Sequence, residues 1–451
     1  MIFSRRNFLQ KTAAVSSVAL FPSILTNAKE PEKKVRLGFI GTGSRGRNHI
    51  EQALYRSDVE IVAICDTDPD SISKAIAQIE KAGRKAPVLY QKGDEDFLNM
   101  VKRDDLDAVI IATPWEWHTP MAVATMKAGK YAAVEVSATV TLQESWDLID
   151  TFEKTGSHCM ILENVCYRRD VMAVLNMARQ GMFGELTYTH CGYQHDLRSV
   201  KFNDGKRYAG GGVEFGAKGY SEARWRTQHS VDRNGDLYPT HGLGPVAHWL
   251  DINRGNRFMS LTSTATKSRG LHNYVVENGG KDHPNAKVNF KLGDVITTVV
   301  DCYNGENIVI MHDTNSPRPY SLGFRAQGTK GIWMDDGDQI YLDKVSPKND
   351  VWEPFASYQE KYDHPLWKKY TKEAENAGHG GIDYFVFRGF IEAVKRKTAP
   401  PIDVYDAAAW SAISPLSELS IARGNSPVEI PDFTRGKWKT NKRIFGLTEE
   451  Y

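Results

Sequence analysis

The sequence of 451 residues predicts an α/β protein with two domains: an N-terminal domain built on a parallel sheet and a C-terminal α+β domain with a mostly antiparallel open sheet. Two patterns predict this fold class. Over residues 35–163, apolar strand-like runs alternate with helical segments, which is typical of a parallel sheet covered on both faces. From Tyr167 onward, strand-like runs follow one another with turn residues between them, which is typical of antiparallel sheets. The domains are therefore expected to span residues 33–164 and 165–451.

The first strand leads directly into a glycine-rich turn. Residues 35–40 are mostly apolar, and Gly41-Thr42-Gly43-Ser44-Arg45-Gly46 follows them. In such a turn Gly41 allows the tight bend, Gly43 lets the backbone approach a pyrophosphate at the helix N-terminus, and Gly46 lets that helix pack on the strand. An ordinary βαβ turn with no ligand is the alternative. The strand, turn, helix and second strand in this order favour a Rossmann dinucleotide-binding domain.

An acidic residue after the second strand indicates which dinucleotide is bound. Residues 59–65 form an apolar run that ends at Asp66, twenty residues after Gly46. A carboxylate there hydrogen-bonds the ribose 2′-hydroxyl and repels a 2′-phosphate, so the pattern favours NAD over NADP. Arg45 supports the opposite choice, because an arginine beside the ribose also accepts a 2′-phosphate.

The other elements follow from hydrophobic periodicity and from glycine or proline at their ends. In the first domain the pattern predicts helices over 71–82, 120–128 and 145–155, and strands over 106–112, 131–136 and 159–163. In the second domain it predicts helices over 169–180, 383–395 and 405–422, and strands over 186–194, 259–267, 295–302, 307–311, 321–327 and 331–335. The glycine-rich segment 205–219 is too long for a simple connection and favours a functional surface.

The N-terminus carries an export pattern. Ser4-Arg5-Arg6-Asn7-Phe8-Leu9 contains twin arginines, an uncharged stretch follows over 12–25, and Thr26-Asn27-Ala28 resembles a cleavage site. The apolar stretch is shorter than the roughly 20 residues that a membrane span needs. Residues 1–28 are therefore interpreted as a twin-arginine signal peptide, the alternative being a disordered or amphipathic N-terminal helix. We expect a periplasmic or secreted protein without a membrane anchor, exported folded with its cofactor.

Composition excludes several partners. The 57 basic and 56 acidic residues leave a net charge of +1, so the sequence shows no basic excess of the kind that binds nucleic acid or an anionic membrane.

The five cysteines are odd in number and contain no C-x-x-C, so they are interpreted as core thiols. No histidine or cysteine spacing predicts a metal site. Both a monomer and a homo-oligomer are compatible with the sequence.

Ligands in a parallel sheet bind at the carboxyl ends of its strands. Those ends are expected to line one crevice, at 41–46, Asp66, 113–118, Glu135, Val136 and Asn164. Polar and aromatic residues in or beside loops of the second domain indicate sugar chemistry: Tyr193, Arg226, Tyr238, His241 and Tyr320.

His241 is the candidate base among these residues. It precedes a predicted helix around 244–250, and a histidine beside a nicotinamide can take a hydroxyl proton during hydride transfer. A structural helix-capping histidine is the alternative from the local sequence. Tyr193 by itself is more often a half-buried strand aromatic.

Longer strings resemble a known family. A dinucleotide fold followed by an antiparallel sheet resembles the glucose–fructose oxidoreductase and inositol dehydrogenase superfamily. Within it, strings of this chain resemble glycoside hydrolase family 109: Ala112-Thr113-Pro114-Trp115-Glu116-Trp117-His118-Thr119-Pro120, Val134-Glu135-Val136, Leu162-Glu163-Asn164-Val165-Cys166-Tyr167-Arg168-Arg169, Gly192-Tyr193-Gln194-His195-Asp196-Leu197-Arg198, Asn234-Gly235-Asp236-Leu237-Tyr238-Pro239-Thr240-His241 and Pro317-Arg318-Pro319-Tyr320-Ser321. The resemblance covers nearly the whole mature chain.

The resemblance implies an NAD-dependent α-N-acetylgalactosaminidase acting on a small carbohydrate or glycan terminus. It implies NAD contacts from Ser44, Arg45, Asp66, Trp115, Glu116, Trp117, His118, Glu135, Val136, Asn164 and Tyr238. It implies sugar contacts from Tyr193, Arg226, Tyr238, His241 and Tyr320. The implied reaction oxidises C3 of the sugar, eliminates the aglycone, adds water and reduces C3 again, with no net use of NAD. In this reaction His241 is the base for the C3 hydroxyl, and Tyr193 is the leading candidate to remove the C2 proton.

One departure separates this chain from the dehydrogenases of the superfamily. Those usually carry Glu-Lys-Pro where this chain has Glu135-Val136-Ser137, and the missing lysine favours the hydrolase. An exported NAD-dependent sugar dehydrogenase or sugar–sugar oxidoreductase is the main alternative. A non-catalytic sugar-binding protein that kept the fold is the third.

Overall fold

The structure is a computed structural model that describes residues 34–206, 211–375 and 377–450. The predicted signal peptide, 1–28, lies outside the described residues, as do residues 207–210 of the predicted functional segment. Among the described helices, none combines the length and the apolar character that a membrane span requires.

The N-terminal sheet has six parallel strands in the order β3-β2-β1-β4-β5-β6. Its strands are β1 Val35–Ile40, β2 Val59–Cys65, β3 Val88–Tyr90, β4 Ala108–Ile111, β5 Tyr131–Val134 and β6 Cys159–Ile161. Its helices are α1 Ser44–Leu54, α2 Pro69–Lys81, α3 Phe97–Met100, α4 Trp115–Lys127 and α5 Leu142–Thr155. Every residue of β4 is buried, as expected for a central strand covered by helices on both faces. The strand order reverses after β1, so the carboxyl ends of β1 and β4 frame the crevice where such sheets bind ligands.

The second sheet has nine strands in the order β14-β13-β12-β11-β7-β10-β9-β8-β15. They are β7 Leu186–Gln194, β8 Phe258–Ala265, β9 Ile296–Cys302, β10 Asn307–Asp313, β11 Arg325–Gly328, β12 Gly331–Met334, β13 Gln339–Leu342, β14 Glu353–Pro354 and β15 Val428–Glu429. Neighbours pair antiparallel except β7 and β10, which pair in parallel. The sheet is mixed but mostly antiparallel, and the predicted α/β fold class is confirmed.

Ten further α-helices belong to the described part of the chain after residue 164. They are α6 Arg169–Arg179, α7 Arg198–Lys201, α8 Arg226–Asp232, α9 Thr240–Trp249, α10 Gly270–Gly279, α11 Ala356–Tyr362, α12 Pro365–Ala374, α13 Ile382–Arg396, α14 Val404–Ser411 and α15 Ile413–Ala422. Helix α13 packs against α1, and α14 packs against α5, so late helices cover the N-terminal sheet. The buried apolar residues of both sheets form one continuous core. The boundary near residue 164 stays a prediction.

Several predicted element bounds are wrong, among them the start of α9, which begins at Thr240 and so includes His241. Helix α4 begins at Trp115, because Pro114 fits the N-cap and Pro120 lies inside the helix without ending it. The helix predicted over 405–422 is two helices that meet at Ala412, close to Pro415, whose ring cannot donate a backbone hydrogen bond. The strand predicted over 321–327 begins only at Arg325. All five cysteines are free and buried, which confirms their interpretation as core thiols.

Candidate active site

The glycine-rich turn has room for a ligand at one position only. A Cβ at Gly41 would lie 2.5 Å from the Ala112 carbonyl oxygen, and a Cβ at Gly46 would lie 2.0 Å from the Gly41 oxygen. A Cβ at Gly43 would meet nothing within 4 Å. Gly41 and Gly46 are therefore required by packing, whereas Gly43 leaves an open approach to the backbone.

The N-terminus of α1 suits an anionic group. Gly43 is its N-cap, no side chain caps the helix, and its first turn has no acidic residue. The first backbone N–H groups of a helix carry partial positive charge and bind phosphate readily. Ser44 is exposed at this end. The residues present therefore fit the pyrophosphate of a dinucleotide.

Asp66 is fixed at the end of β2 beside this turn. Its Oδ2 accepts hydrogen bonds from the Thr42 backbone N–H at 2.6 Å and the Thr42 hydroxyl at 3.0 Å. Its Oδ1 accepts from the Asp68 N–H at 2.9 Å. The carboxylate is thus oriented as an acceptor for a ribose hydroxyl, and its charge opposes a 2′-phosphate.

The guanidinium of Arg45 is bound by two carboxylates, and its predicted contact with NAD stays a prediction. Its Nε donates to Glu135 at 2.6 Å, and its two Nη atoms donate to Asp383 at 2.9 and 3.1 Å. A 2′-phosphate would have to displace one of two buried carboxylates from this guanidinium. The geometry therefore favours NAD.

Glu135 and Asn164 belong to the same ionic cluster. His49 Nε2 lies 2.6 Å from Glu135 Oε1. Burial acts to raise the pKa of Glu135, but the charge of Arg45 and the contact with His49 outweigh it and hold that pKa well below its usual range. Asn164 Nδ2 donates to Asp383 at 2.8 Å. Val136 is buried beside Glu135. Asp383, on α13, is a member that sequence reasoning missed.

The segment from Trp115 to His118 forms the first turn of α4. The His118 ring is buried, and its nitrogens lie 2.7 and 2.8 Å from the backbone oxygens of Ser137 and Thr113. This side chain links the ends of β4 and β5. Its predicted contact with the cofactor stays a prediction.

Three other predicted cofactor residues on α4 differ in exposure. Trp115 is buried, Trp117 is half-buried, and the Glu116 side chain is 52% exposed. Glu116 is therefore open to solvent, whereas Trp115 is packed inside the protein. Their contacts with NAD stay predictions.

The five predicted sugar residues lie together. The Tyr193 ring centroid is 4.7 Å from Tyr238, 5.3 Å from His241 and 6.2 Å from Tyr320. The guanidinium of Arg226 lies 4.9 Å from the Tyr238 ring centroid. They come from β7, α8, α9 and two loops, so only the tertiary fold brings them together. We refer to these five residues as the sugar cluster.

His241 is the second residue of α9, and a buried carboxylate orients it. Its Nδ1 lies 2.8 and 2.9 Å from the two oxygens of Glu163, which is fully buried. A proton on Nδ1 donates to this carboxylate and leaves Nε2 as an acceptor. The ring makes no capping bond to its own helix, whose N-cap is Pro239. The geometry therefore favours a general base over a helix cap. Sequence reasoning missed Glu163, although it lies two residues after the end of β6.

Tyr193 has a proton acceptor of its own. Its hydroxyl lies 3.1 Å from Nδ1 of His195. Burial raises the pKa of Tyr193, with Arg226 acting in the opposite direction. Burial, followed by the charge of Arg226, lowers the pKa of His195 below its ordinary 6.5. Tyr193 is thus a neutral phenol in contact with neutral His195, whose Nδ1 lies in position to accept its proton.

Across the described ranges, no group of three or more His, Cys, Asp or Glu side chains is placed to hold an ion.

Replacing Asp66 with alanine should lower NAD occupancy and weaken the preference for NAD over NADP. A hydrogen bond to a charged group contributes about 1.5–3 kcal/mol, which corresponds to roughly 10- to 100-fold in affinity. Mass analysis of cofactor released on denaturation, with competition between NAD and NADP, measures both effects. Asp70→Ala is the matched control, since that carboxylate is 61% exposed on α2. An unchanged preference in Asp66→Ala contradicts the ribose assignment.

Each of the two parts of the chain matches a known family model. Residues 167–440 match the model of the glycosyl hydrolase 109 C-terminal domain. Residues 35–162 match the model of an oxidoreductase family with an NAD-binding Rossmann fold. The N-terminal sheet is thus an NAD-binding domain, and the cofactor prediction is confirmed.

Curated relatives extend over the full length. The chain is 52% identical over 464 residues to a glycosyl hydrolase family 109 protein of Parabacteroides distasonis, covering 98% of this chain and 99% of the relative. It is 52% identical over 466 residues to an alpha-N-acetylgalactosaminidase of Tannerella forsythia, with the same coverage.

Solved structures share the fold at low identity. A levoglucosan dehydrogenase in complex with NADH superposes with a TM-score of 0.62 at 18% identity, covering 88% of this chain and 100% of that one. An inositol dehydrogenase homolog from Azotobacter vinelandii, in complex with NADH and myo-inositol, gives 0.61 at 18% identity, covering 88% and 98%.

Proposed function

Because the chain belongs to glycoside hydrolase family 109, we propose that it removes terminal α-N-acetylgalactosamine by a cycle that leaves its NAD unchanged. The observation that carries this proposal is His241, oriented by Glu163 within the sugar cluster. The name of the Tannerella forsythia relative supports the choice of sugar.

The carboxylates beside the sugar cluster argue against direct hydrolysis. A direct glycosidase uses two carboxylates across the scissile bond. Here Glu163 is bound to His241, and Glu222 is paired with Arg226. Each carboxylate is therefore paired with a basic side chain, and neither is available as the general acid or the nucleophile of a direct glycosidase.

Oxidation at C3 offers another route. Bound NAD supplies a reversible acceptor for the hydride of C3, and the turn at Gly43, with Asp66 and the cluster around Glu135, would hold it. His241 Nε2 takes the proton of the C3 hydroxyl. A ketone at C3 makes the hydrogen at C2 acidic.

Elimination then uses Tyr193. The phenol passes its proton to His195 and takes the proton from C2. The bond between C1 and the aglycone oxygen breaks, and the aglycone leaves with the electron pair and takes the proton that His195 received. Water then adds at C1 and gives a proton to neutral His195, while Tyr193 returns its proton to C2 and is reprotonated by His195. His241 returns its proton to the oxygen at C3 as that carbon is reduced.

An assay without added NAD tests the proposal. Purified protein should release phenol from an aryl α-N-acetylgalactosaminide with no accumulation of reduced cofactor. Accumulation of reduced cofactor would instead support a sugar dehydrogenase. Neither product would support a sugar-binding protein.

We also propose export by the twin-arginine route. A cofactor that ends each cycle unchanged needs no regenerating partner outside the cytoplasm. Fractionation of expressing cells tests this, and cytoplasmic retention of the whole pool contradicts it.

A further inference from the structure

One segment of the second domain contacts the NAD-binding domain at two separated places. This segment, residues 220–232, contains a 3-10 turn at Ser221–Arg224 and helix α8, and we call it the strap. At one place the Trp225 ring lies edge-on to Trp115, with centroids 5.2 Å apart. His229 Nε2 lies 3.7 Å from Glu116 Oε2 nearby.

The second place lies beyond the end of β2. Tyr220 lies near the Lys74 amine on α2. Arg224 is within electrostatic range of the Asp68 carboxylate, two residues after Asp66. The strap therefore reaches both α2 and the first turn of α4.

Sheet topology fixes what lies between these places. Strand β1 stands between β2 and β4, and all three run in the same direction. A segment that contacts residues following β2 and residues following β4 must pass the carboxyl end of β1. That end carries Gly43, where the backbone is open to a ligand. The strap thus crosses the entrance to the pyrophosphate site.

Arg224 is the basic side chain of the strap that remains available to an anion. Arg226 is buried and paired with Glu222. Arg224 is exposed, and its guanidinium forms no hydrogen bond with the described residues. Arg45 is close to the turn in sequence but is held by Glu135 and Asp383. A diphosphate would therefore find in Arg224 a cation whose hydrogen bonds are not already used.

We propose that the strap encloses the pyrophosphate of bound NAD, with Arg224 supplying the facing positive charge and Trp225 anchoring the strap on Trp115. NAD is then a resident group that exchanges slowly with free NAD. The proposal depends on NAD binding and not on the glycosidase reaction. A measurement of cofactor exchange therefore tests it separately from the proposed function.

Exchange of the bound cofactor tests the proposal. Protein purified with its own NAD is mixed with excess isotopically labelled NAD, and labelled and unlabelled cofactor are counted by mass after denaturation. Arg224→Gln should exchange about 10-fold faster or more, since a charge-assisted hydrogen bond is lost. Trp225→Ala should also exchange faster because the strap loses its anchor. Arg423→Gln, an exposed arginine at the end of α15, is the matched control and should exchange like the parent.

Salt dependence separates a charge effect from a structural one. Exchange from the parent protein should accelerate with ionic strength, because salt screens the attraction between Arg224 and the diphosphate. That dependence should be weaker in Arg224→Gln. Parent-like exchange rates in both strap variants would overturn the proposal. Faster exchange in Arg224→Gln with unchanged salt dependence would overturn the role of its charge.

Discussion

Replacing His241 with alanine should abolish sugar oxidation while NAD stays bound. The imidazole is the proton acceptor for the C3 hydroxyl, and loss of a general base typically costs about 10²–10⁴-fold in rate. Single-turnover absorbance of reduced nicotinamide should show no transient, and aglycone release should fall by the same factor. His272→Ala on α10, distant in sequence from the sugar cluster, is the matched control and should retain both signals.

The role of Glu163 follows from the same geometry. Glu163→Gln keeps an oxygen that accepts from His241 Nδ1 but loses the negative charge that stabilises the imidazolium. We expect a smaller loss than in His241→Ala, at the same oxidation step. A full transient of reduced cofactor in His241→Ala contradicts the assignment of the base.

Replacing Tyr193 with phenylalanine should stop the reaction one step later. The ring remains, so packing against Tyr238 and His241 is kept, whereas the hydroxyl that contacts His195 is lost. Reduced cofactor should form and persist, and aglycone release should fall by about 10²–10⁴-fold. Rapid-mixing absorbance together with chemical quench separates the two events. If Tyr193→Phe and His241→Ala fail at the same step, the division of roles is wrong.

The pH profile adds an independent check on this step. The pKa of His195 lies below 6.5, through burial and the charge of Arg226, so the ring is neutral and accepts a proton at neutral pH. Aglycone release should therefore fall as the pH drops through that lowered pKa. His195→Gln should remove this acid limb from the profile.

Local patterns predicted the parts of the site that are continuous in sequence. The glycine turn, Asp66 after β2 and the strand that carries Tyr193 follow from periodicity and from short motifs. The bounds of β7 are those predicted, because turn residues mark both of its ends.

Contacts between distant residues could not be predicted in this way. Glu163 and His241 are 78 residues apart, and Asn164 and Asp383 are 219 apart. Hydrophobic periodicity is local and carries no information about which elements pack together. The parallel pairing of β7 with β10 and the course of the strap depend on the same long-range packing.

Proline positions caused the main errors in element bounds. Pro120 suggested a helix start, but α4 begins at Trp115 and accommodates this proline early in its length. At the sixth position of α4 this proline removes one helical hydrogen bond without ending the helix, so it is a poor marker of the helix start.

The fate of the hydrogen at C2 tests the central claim most directly. Elimination beside a ketone removes the C2 proton, whereas direct displacement at C1 never breaks that bond. Cleavage in D₂O should give N-acetylgalactosamine with deuterium at C2 and none at C3, because the C3 hydrogen leaves and returns as hydride. A substrate labelled at C2 reveals any return of the same proton shielded from solvent, since it loses its label only when that proton exchanges. Two results together would contradict the oxidation–elimination mechanism. Unlabelled substrate cleaved in D₂O would give product without deuterium at C2, and substrate deuterated at C2 would react at the same rate as unlabelled substrate.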